Sequence, residues 1–343
     1  MDSYGPFHFF FSLSANEKQW PEVKAAILHH EKLEGLDKIV YEVGWETDDE
    51  MIKFHFNGWN QDASKIISCK KFKTRNNKFF VDNFMLITRI FDSRIKAFIS
   101  KILCANVDIE HYSYRIEFQV RGMPHLHGVF WLSERSLKEN GFMSASGELI
   151  EAQIPRLVNK WVSCSLEQEN EELNNLVRQV NCHKHTRSCR KGKFACRFSF
   201  PRLPSDETLV AKPLNEDLFD TPEMFKDELK KNRKILQYCK TTLESLTDQD
   251  VEELGNDLRK FIALVNEKQR DINITYDSYK NALQVSEKGQ TVVLKRKLSE
   301  RNVNNYNPLY MLAWRANMDI QFCNDNYAIV TYITDYITKA DAG

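Results

Sequence analysis

Apolar positions along this chain change period several times, and each change marks a different element. Residues 7–13 (FHFFFSL) form a short aromatic run suited to a buried strand, and Ser14 with Glu17 three residues later makes a capping-box pattern, so strand followed by helix is the predicted opening. In residues 83–104, Phe84, Ile87, Ile90, Phe91, Ile95, Phe98, Ile99 and Ile102 recur at helical spacing, which predicts a long helix whose stripe faces a core. Two strand-like runs follow at 114–120 and 125–132, joined by Arg121, Gly122, Met123 and Pro124 as a hairpin connection. The pattern then predicts helix over 154–165, a largely helical stretch over 221–267 with a stop at Gly255, a strand pair around 291–294, and helix again over 306–317. Together these predict a mixed α/β (α+β) chain.

With 343 residues, 42% of them hydrophobic and 12% aromatic, the chain has enough apolar surface for a sizeable core. The 48 basic and 48 acidic residues cancel, which excludes a globally basic nucleic-acid binder, but the charge is unevenly placed. No acidic residue lies between Asp62 and Asp82, where Lys65, Lys70, Lys71, Lys73, Arg75 and Lys78 sit. None lies between Glu172 and Asp206, against Arg178, Lys184, Arg187, Arg190, Lys191, Lys193, Arg197 and Arg202. Such tracts serve as solvated surface or as a track for phosphates. No apolar stretch approaches the ~20 residues of a membrane span, no secretory leader opens the chain, and no Walker-type phosphate loop occurs. The expectation is a soluble intracellular protein without a membrane partner. The last residues, Asp341, Ala342 and Gly343, directly follow a strongly patterned segment, as in a fragment of a longer protein.

Candidate chemistry concentrates in three places. His125 and His127 are separated by one residue, so on a strand they share a face while Leu126 points to the core. If the connection spans 120–124, Gln119 lies opposite His125 and Glu117 opposite His127, and an oxygen from either completes a three-ligand site with open positions for a catalytic Mg²⁺ or Mn²⁺. A bare His-x-His pair also occurs simply as hydrogen-bonded imidazoles. The second place is the basic stretch after Asn181: His183, His185, Cys189 and Cys196 are four ligands suited to closed, tetrahedral, structural Zn²⁺, with Cys182 a rival for one position. Zinc there would hold Arg187, Arg190, Lys191, Lys193 and Arg197 as a platform for DNA phosphates, and Lys70, Lys71 and Lys73 form a second basic group. The third place is Tyr332 and Tyr336 in VTYITDYITK, which share one side of the chain whether the segment is helix or strand, with Lys339 three residues beyond. Spacing alone favours amphipathic tyrosines packed at a surface.

These segments carry a resemblance. Residues 117–127, EFQVRGMPHLH, resemble the EFQ-x-RG-x-PH-x-H segment of the Rep nucleases of Helitron transposons, particularly the Helentron-like branch, within the wider HUH endonuclease group. Residues 5–14 resemble that family's opening strand, residues 183–201 its Cys/His segment, and Tyr306-Asn-Pro with Trp314-Arg-Ala-Asn-Met-Asp-Ile-Gln its late helix. The resemblance implies an HUH fold, a central antiparallel sheet flanked by helices, carrying a zinc-binding insert and a helical insertion. It implies a nuclease core beginning in 1–170, a zinc subdomain over 171–210, and a helical region over 211–343 ending in the tyrosine segment, with a helicase farther along the full-length chain. It also implies Tyr332 and Tyr336 as nucleophiles and Lys339 as the lysine beside them, although Asp335 departs from the family pattern. The activity implied is nicking and strand transfer on single-stranded DNA, at transposon ends and target, through a 5′-phosphotyrosine and a free 3′-hydroxyl, with the nucleus as the expected location. Two other readings of the same residues are a metal-dependent phosphodiesterase that activates water with Glu117 as base, and a non-catalytic zinc module that binds DNA.

Overall fold

The structure is a computed structural model that describes residues 5–17, 19–23, 26, 83–118, 123–186, 189, 196–287 and 289–323. Strand β1 (Phe9–Ser14) is the strand that the aromatic run predicts, and it buries Phe9, Phe11 and Leu13 on one face. Helix α1 (Phe84–Phe98) buries Ile87, Phe91, Ile95 and Phe98, the predicted stripe, and continues as a π turn over Ile99–Leu103. Strands β2 (Ile109–Phe118) and β3 (Pro124–Leu132) pair antiparallel across residues 119–123, and short helices α2 (Glu134–Glu139), α3 (Ile154–Trp161) and α4 (Glu171–Leu176) follow.

Beyond the Cys/His stretch come β4 (Leu209–Ala211) and four helices: α5 (Pro222–Ser245), α6 (Asp248–Leu254), α7 (Leu258–Lys268) and α8 (Tyr276–Leu283). Gly255 ends α6 at φ 62°, the left-handed position that its stop signal anticipates. The chain closes its described part with β5 (Thr291–Val293), α9 (Pro308–Trp314) and β6 (Met318–Phe322).

One mixed α/β arrangement results: a four-stranded antiparallel sheet in the order β2-β3-β1-β6, flanked by helices. One face of the sheet, with Phe9, Phe11, Leu13, Leu126, Phe130, Met318 and Ile320, packs on α1, α3, α4 and α9 to form the main core. Aromatic contacts join the layers: Trp161 lies 5.4 Å from Phe130 and 5.8 Å from Phe9, and Trp314 lies 5.5 Å from Phe91. A second core, built mostly from α5, α6, α7 and α8, encloses Ile235, Cys239, Phe261, Val265 and Tyr279.

Four expectations change. Ser14 does not cap a helix; it is the last residue of β1, paired with His125, and helical residues begin only at Pro21. The helix expected over 154–165 stops at Trp161, because Ser163 leaves it to exchange backbone hydrogen bonds with Tyr306 at 2.7 Å. The strand near residue 291 pairs with β4, more than seventy residues earlier, instead of with a neighbour inside its own segment. Arg315, at φ 57°, ends α9 and turns the chain into β6, which the apolar pattern does not distinguish from continued helix.

Gly128 sits at the tightest point of the sheet. A Cβ there would come 2.5 Å from Phe11 Cζ, so the buried Phe11 ring occupies the space that any side chain would need. Gly128→Ala is therefore expected to destabilise the fold by about 1–3 kcal/mol, as overpacking of a filled core does. Thermal melting of the variant checks this, and an unchanged midpoint would show that the Phe11 ring is free to move aside.

Candidate functional site

The sheet face away from the main core collects the polar side chains. On β3, His125 and His127 alternate with buried Leu126 and Gly128, and across the pairing Glu117 lies opposite His125, with Arg115 opposite His127. From β1, Ser14 stands opposite His125 and Ser12 opposite His127, and β6 brings Asp319 opposite Ser12. Directly opposed residues in an antiparallel sheet point to the same side, so two polar rows form: Glu117, His125, Ser14 and Arg115, His127, Ser12, Asp319.

Side-chain contacts order these rows. Ser14 Oγ lies 3.1 Å from His125 Nδ1, which leaves Nε2 as the nitrogen for a further ligand. His127 Nε2 lies 3.1 Å from Glu117 Oε2, and the Phe10 ring stacks over His127 at 5.8 Å. The two imidazoles meet edge to face, with centroids 4.6 Å apart. Burial, reinforced by the neighbouring His127, pulls the His125 pKa down to about 3. Burial also lowers that of His127, against the opposing pull of Glu117. His125 is thus an uncharged imidazole at neutral pH, the form that binds metals, and a carboxylate stands beside the pair. Asp319 is held up by burial, opposed by its hydrogen bond from Gln321 and by Arg202 and Arg296.

The observed register differs from the expected one by two residues: Glu117, not Gln119, is opposite His125, because β2 and β3 pair through Phe118 and Pro124 and the connection is 119–123. Gln119 lies outside the described residues, as do Tyr332, Tyr336 and Lys339, and the basic residues Lys70, Lys71, Lys73, Arg187, Arg190, Lys191 and Lys193. The polar partners Ser12, Ser14 and Asp319 were missed by sequence reasoning. Their signal was the alternation of Phe10, Ser12 and Ser14 with the buried Phe9, Phe11 and Leu13, which extends a strand where a helix cap was expected.

The Cys/His group is more compact. Ligand atoms of His183, His185, Cys189 and Cys196 all lie within 4.8 Å of one another. Cys196 Sγ is 3.4 Å from His183 Nε2, and Cys189 Sγ is 3.6 Å from His185 Nδ1. Zinc bonds of about 2.0 Å to nitrogen and about 2.3 Å to sulfur place the corners of a tetrahedron roughly 3.3–3.8 Å apart, so these separations fit such an ion. Phe200 stacks on His183 at 4.6 Å and buries Cys189 and Cys196 beside it. His183 is shifted toward its neutral, ligating form by burial, then by His185 and Arg202. The set could hold a metal such as zinc. Cys182 is not one of the four: it makes a backbone bridge to Val303, and burial raises its thiol pKa.

The segment is anchored to the sheet. Asn181 is fully buried; its Nδ2 donates to Asn304 O at 3.1 Å, and its Oδ1 accepts from Met318 N at 2.9 Å. His183 N donates to Asn302 O at 2.7 Å. Of the expected DNA-contacting residues, Arg197 is described; its guanidinium lies 4.5 Å over the exposed Phe198 ring.

Among known proteins, the family described as the Helitron helicase-like domain at N-terminus matches residues 1–130. That segment includes β1, α1, β2 and most of β3, with both His125 and His127. The match agrees with the Helitron resemblance, is consistent with a Helitron-type transposase, and implies interaction with DNA. No curated protein matches the chain significantly. No helix among the described residues is long and apolar enough to cross a membrane.

Protein purified without added zinc is expected to carry about one tightly held zinc per chain by elemental analysis, as closed four-ligand sites do. Cys189→Ser should lose most of that metal and melt at lower temperature. A variant that keeps both its zinc and its melting temperature would show that the ligand set is different.

Proposed function

We propose that this chain is the HUH-type endonuclease of a rolling-circle transposon, which nicks single-stranded DNA with tyrosine and transfers the broken strand. The observation that carries the reading is the grouping of His125 and His127 with Glu117 on the sheet face away from the main core, within the segment that matches the Helitron helicase-like domain. The donor types are those a divalent cation takes, uncharged imidazole nitrogen from a buried strand and a carboxylate oxygen beside it, with Gln119 as a further candidate; among the described residues the compact metal-holding group is the Cys/His one. Mg²⁺ or Mn²⁺ bound there would polarise the scissile phosphate.

The chain's own groups would do the rest. Ser14 orients the His125 ring through Nδ1, and Phe10 walls off one side of His127. The phenol oxygen of Tyr332 or Tyr336 attacks phosphorus, the bond from phosphorus to the 3′ oxygen breaks, and the phenolic proton balances the new 3′-hydroxyl through solvent. Lys339 counters charge on the phosphate. Because the phosphodiester energy is kept in the phosphotyrosine, a second 3′-hydroxyl can reverse the step and join a new strand. The Cys/His module holds zinc structurally, and Arg197 with its basic neighbours tracks phosphates. A helicase in the same full-length protein and a nuclear location belong to this proposal.

Two sets of variants test it. His125→Ala with His127→Ala should abolish nicking of a labelled single-stranded transposon end in Mn²⁺ while leaving most DNA affinity, since phosphate contacts by basic residues do not need this ion. Full cleavage by that double variant would remove the cation from the mechanism. Tyr332→Phe and Tyr336→Phe should together eliminate the covalent protein–DNA adduct seen on a denaturing gel, with folding unchanged. Cleavage by the double phenylalanine variant that leaves free 5′-phosphate ends would assign the reaction to activated water instead.

A further inference from the structure

The edge strand β2 carries aromatic side chains that neither the core nor the polar site uses. Tyr112, Tyr114 and Phe118 lie on the same side as the core residues opposite them on β3, yet 41%, 38% and 53% of their surface stays exposed, with the Tyr112 hydroxyl against Cys104 at the end of the π turn. Ile116 between them is the member of the row that reaches the core. Isolated exposed aromatics are ordinary, but three on one edge strand form a patch, and an exposed apolar edge invites aggregation unless it has a use. The Tyr112 and Tyr114 rings are nearly parallel, 13° apart, with centroids separated by 6.4 Å. Parallel, exposed rings present π faces on which unpaired bases can stack. Lys96, exposed on α1 near Tyr114, is ion-paired with Asp92 at 2.6 Å, so the platform rests on the rings and not on a cation beside them.

We infer that Tyr112, Tyr114 and Phe118 form a stacking platform for unpaired DNA bases at the outer edge of the sheet. The inference rests on the single-stranded DNA reading above and names a subsite for that substrate. Alternate residues of the same strand, Arg115 and Glu117, face the His125 and His127 side. A strand laid over the edge of β2 therefore passes from the platform to the polar rows within the width of one strand. Base-on-aromatic stacking tolerates any sequence, because every base presents a π face, so the platform would hold DNA and leave recognition of particular bases to other contacts.

The test is binding of a fluorescein-labelled oligothymidylate to the whole chain as purified, in buffer without Mg²⁺, Mn²⁺ or chelator, read by anisotropy, with nicking in Mn²⁺ measured separately. Tyr112→Leu with Tyr114→Leu keeps apolar bulk but removes the π faces, and should weaken binding on the order of tenfold to a hundredfold, the scale of losing one or two stacked bases. Tyr112→Trp with Tyr114→Trp should restore affinity. Unchanged binding by the leucine variant, or a wild-type chain that does not bind the oligonucleotide, overturns the platform. A leucine variant that loses equal affinity for duplex DNA overturns stacking as the cause, since paired bases offer no free faces. Affinity lost in the leucine variant while wild type nicks no single strand keeps the platform and removes the nuclease. Unchanged affinity with intact nicking does the reverse.

Discussion

Everything described on the sheet depends on the register in which β3 pairs with β1. Alternate residues of β3 go to opposite sides, so Leu126, Phe130 and Leu132 build the core while His125, His127 and Val129 face away. A slip of one residue would drive both imidazoles into the apolar layer and expose Phe130, a reversal that costs the core and buries polar groups without partners. Gly128 and Phe11 enforce the native choice, since the Phe11 ring fits only where β3 has no side chain. One alternating strand thus supplies the wall of the hydrophobic core and the polar face together. Stability and candidate chemistry are not separable there.

A second constraint ties the Cys/His module to that sheet. Asn181 is fully buried just before Cys182, and it satisfies its amide on Asn304 and Met318, at the entry to β6. Leaving such a group unpaired would cost about 1–3 kcal/mol, so the bonds hold the segment in place. Arg296 works alongside, buried with its guanidinium on the carbonyls of Glu300 and Val303 and on Asn305. The Cys/His loop is therefore stapled to the strand that carries Asp319, in the row of His127. A structural ion there would stabilise the far edge of the sheet as well as its own loop.

Burial sets the electrostatic character of both groups. His125 stays neutral because its ring is desolvated between β1 and β2, and His183 is shifted the same way under the Phe200 ring. Neutral imidazoles with a fixed hydrogen bond on one nitrogen are ready ligands, whereas exposed ones would compete with protons near neutrality. The aromatic residues divide similarly by position: Phe10 and Phe200 are walls, while Tyr112, Tyr114 and Phe118 stand clear of the core.

Local features of this protein were readable from its sequence because they have local causes. The β1 strand, the β3 alternation, the α1 stripe, the Gly255 stop and the grouping of His183, His185, Cys189 and Cys196 each follow from residue pattern within one segment. Even the face shared by His125, His127 and Glu117 was legible, since the pairing differs from the expected one by two residues and an even shift keeps every side chain on its side. Tertiary structure alone decided the partners. Glu117 rather than Gln119 stands against His125, Ser14 holds His125 instead of capping a helix, β5 finds β4, and Met318–Phe322 becomes the edge strand that brings Asp319 into line. Each of those outcomes joins residues far apart in sequence, so it is set by loop lengths and by which apolar faces can close over one core, and no single segment carries that information.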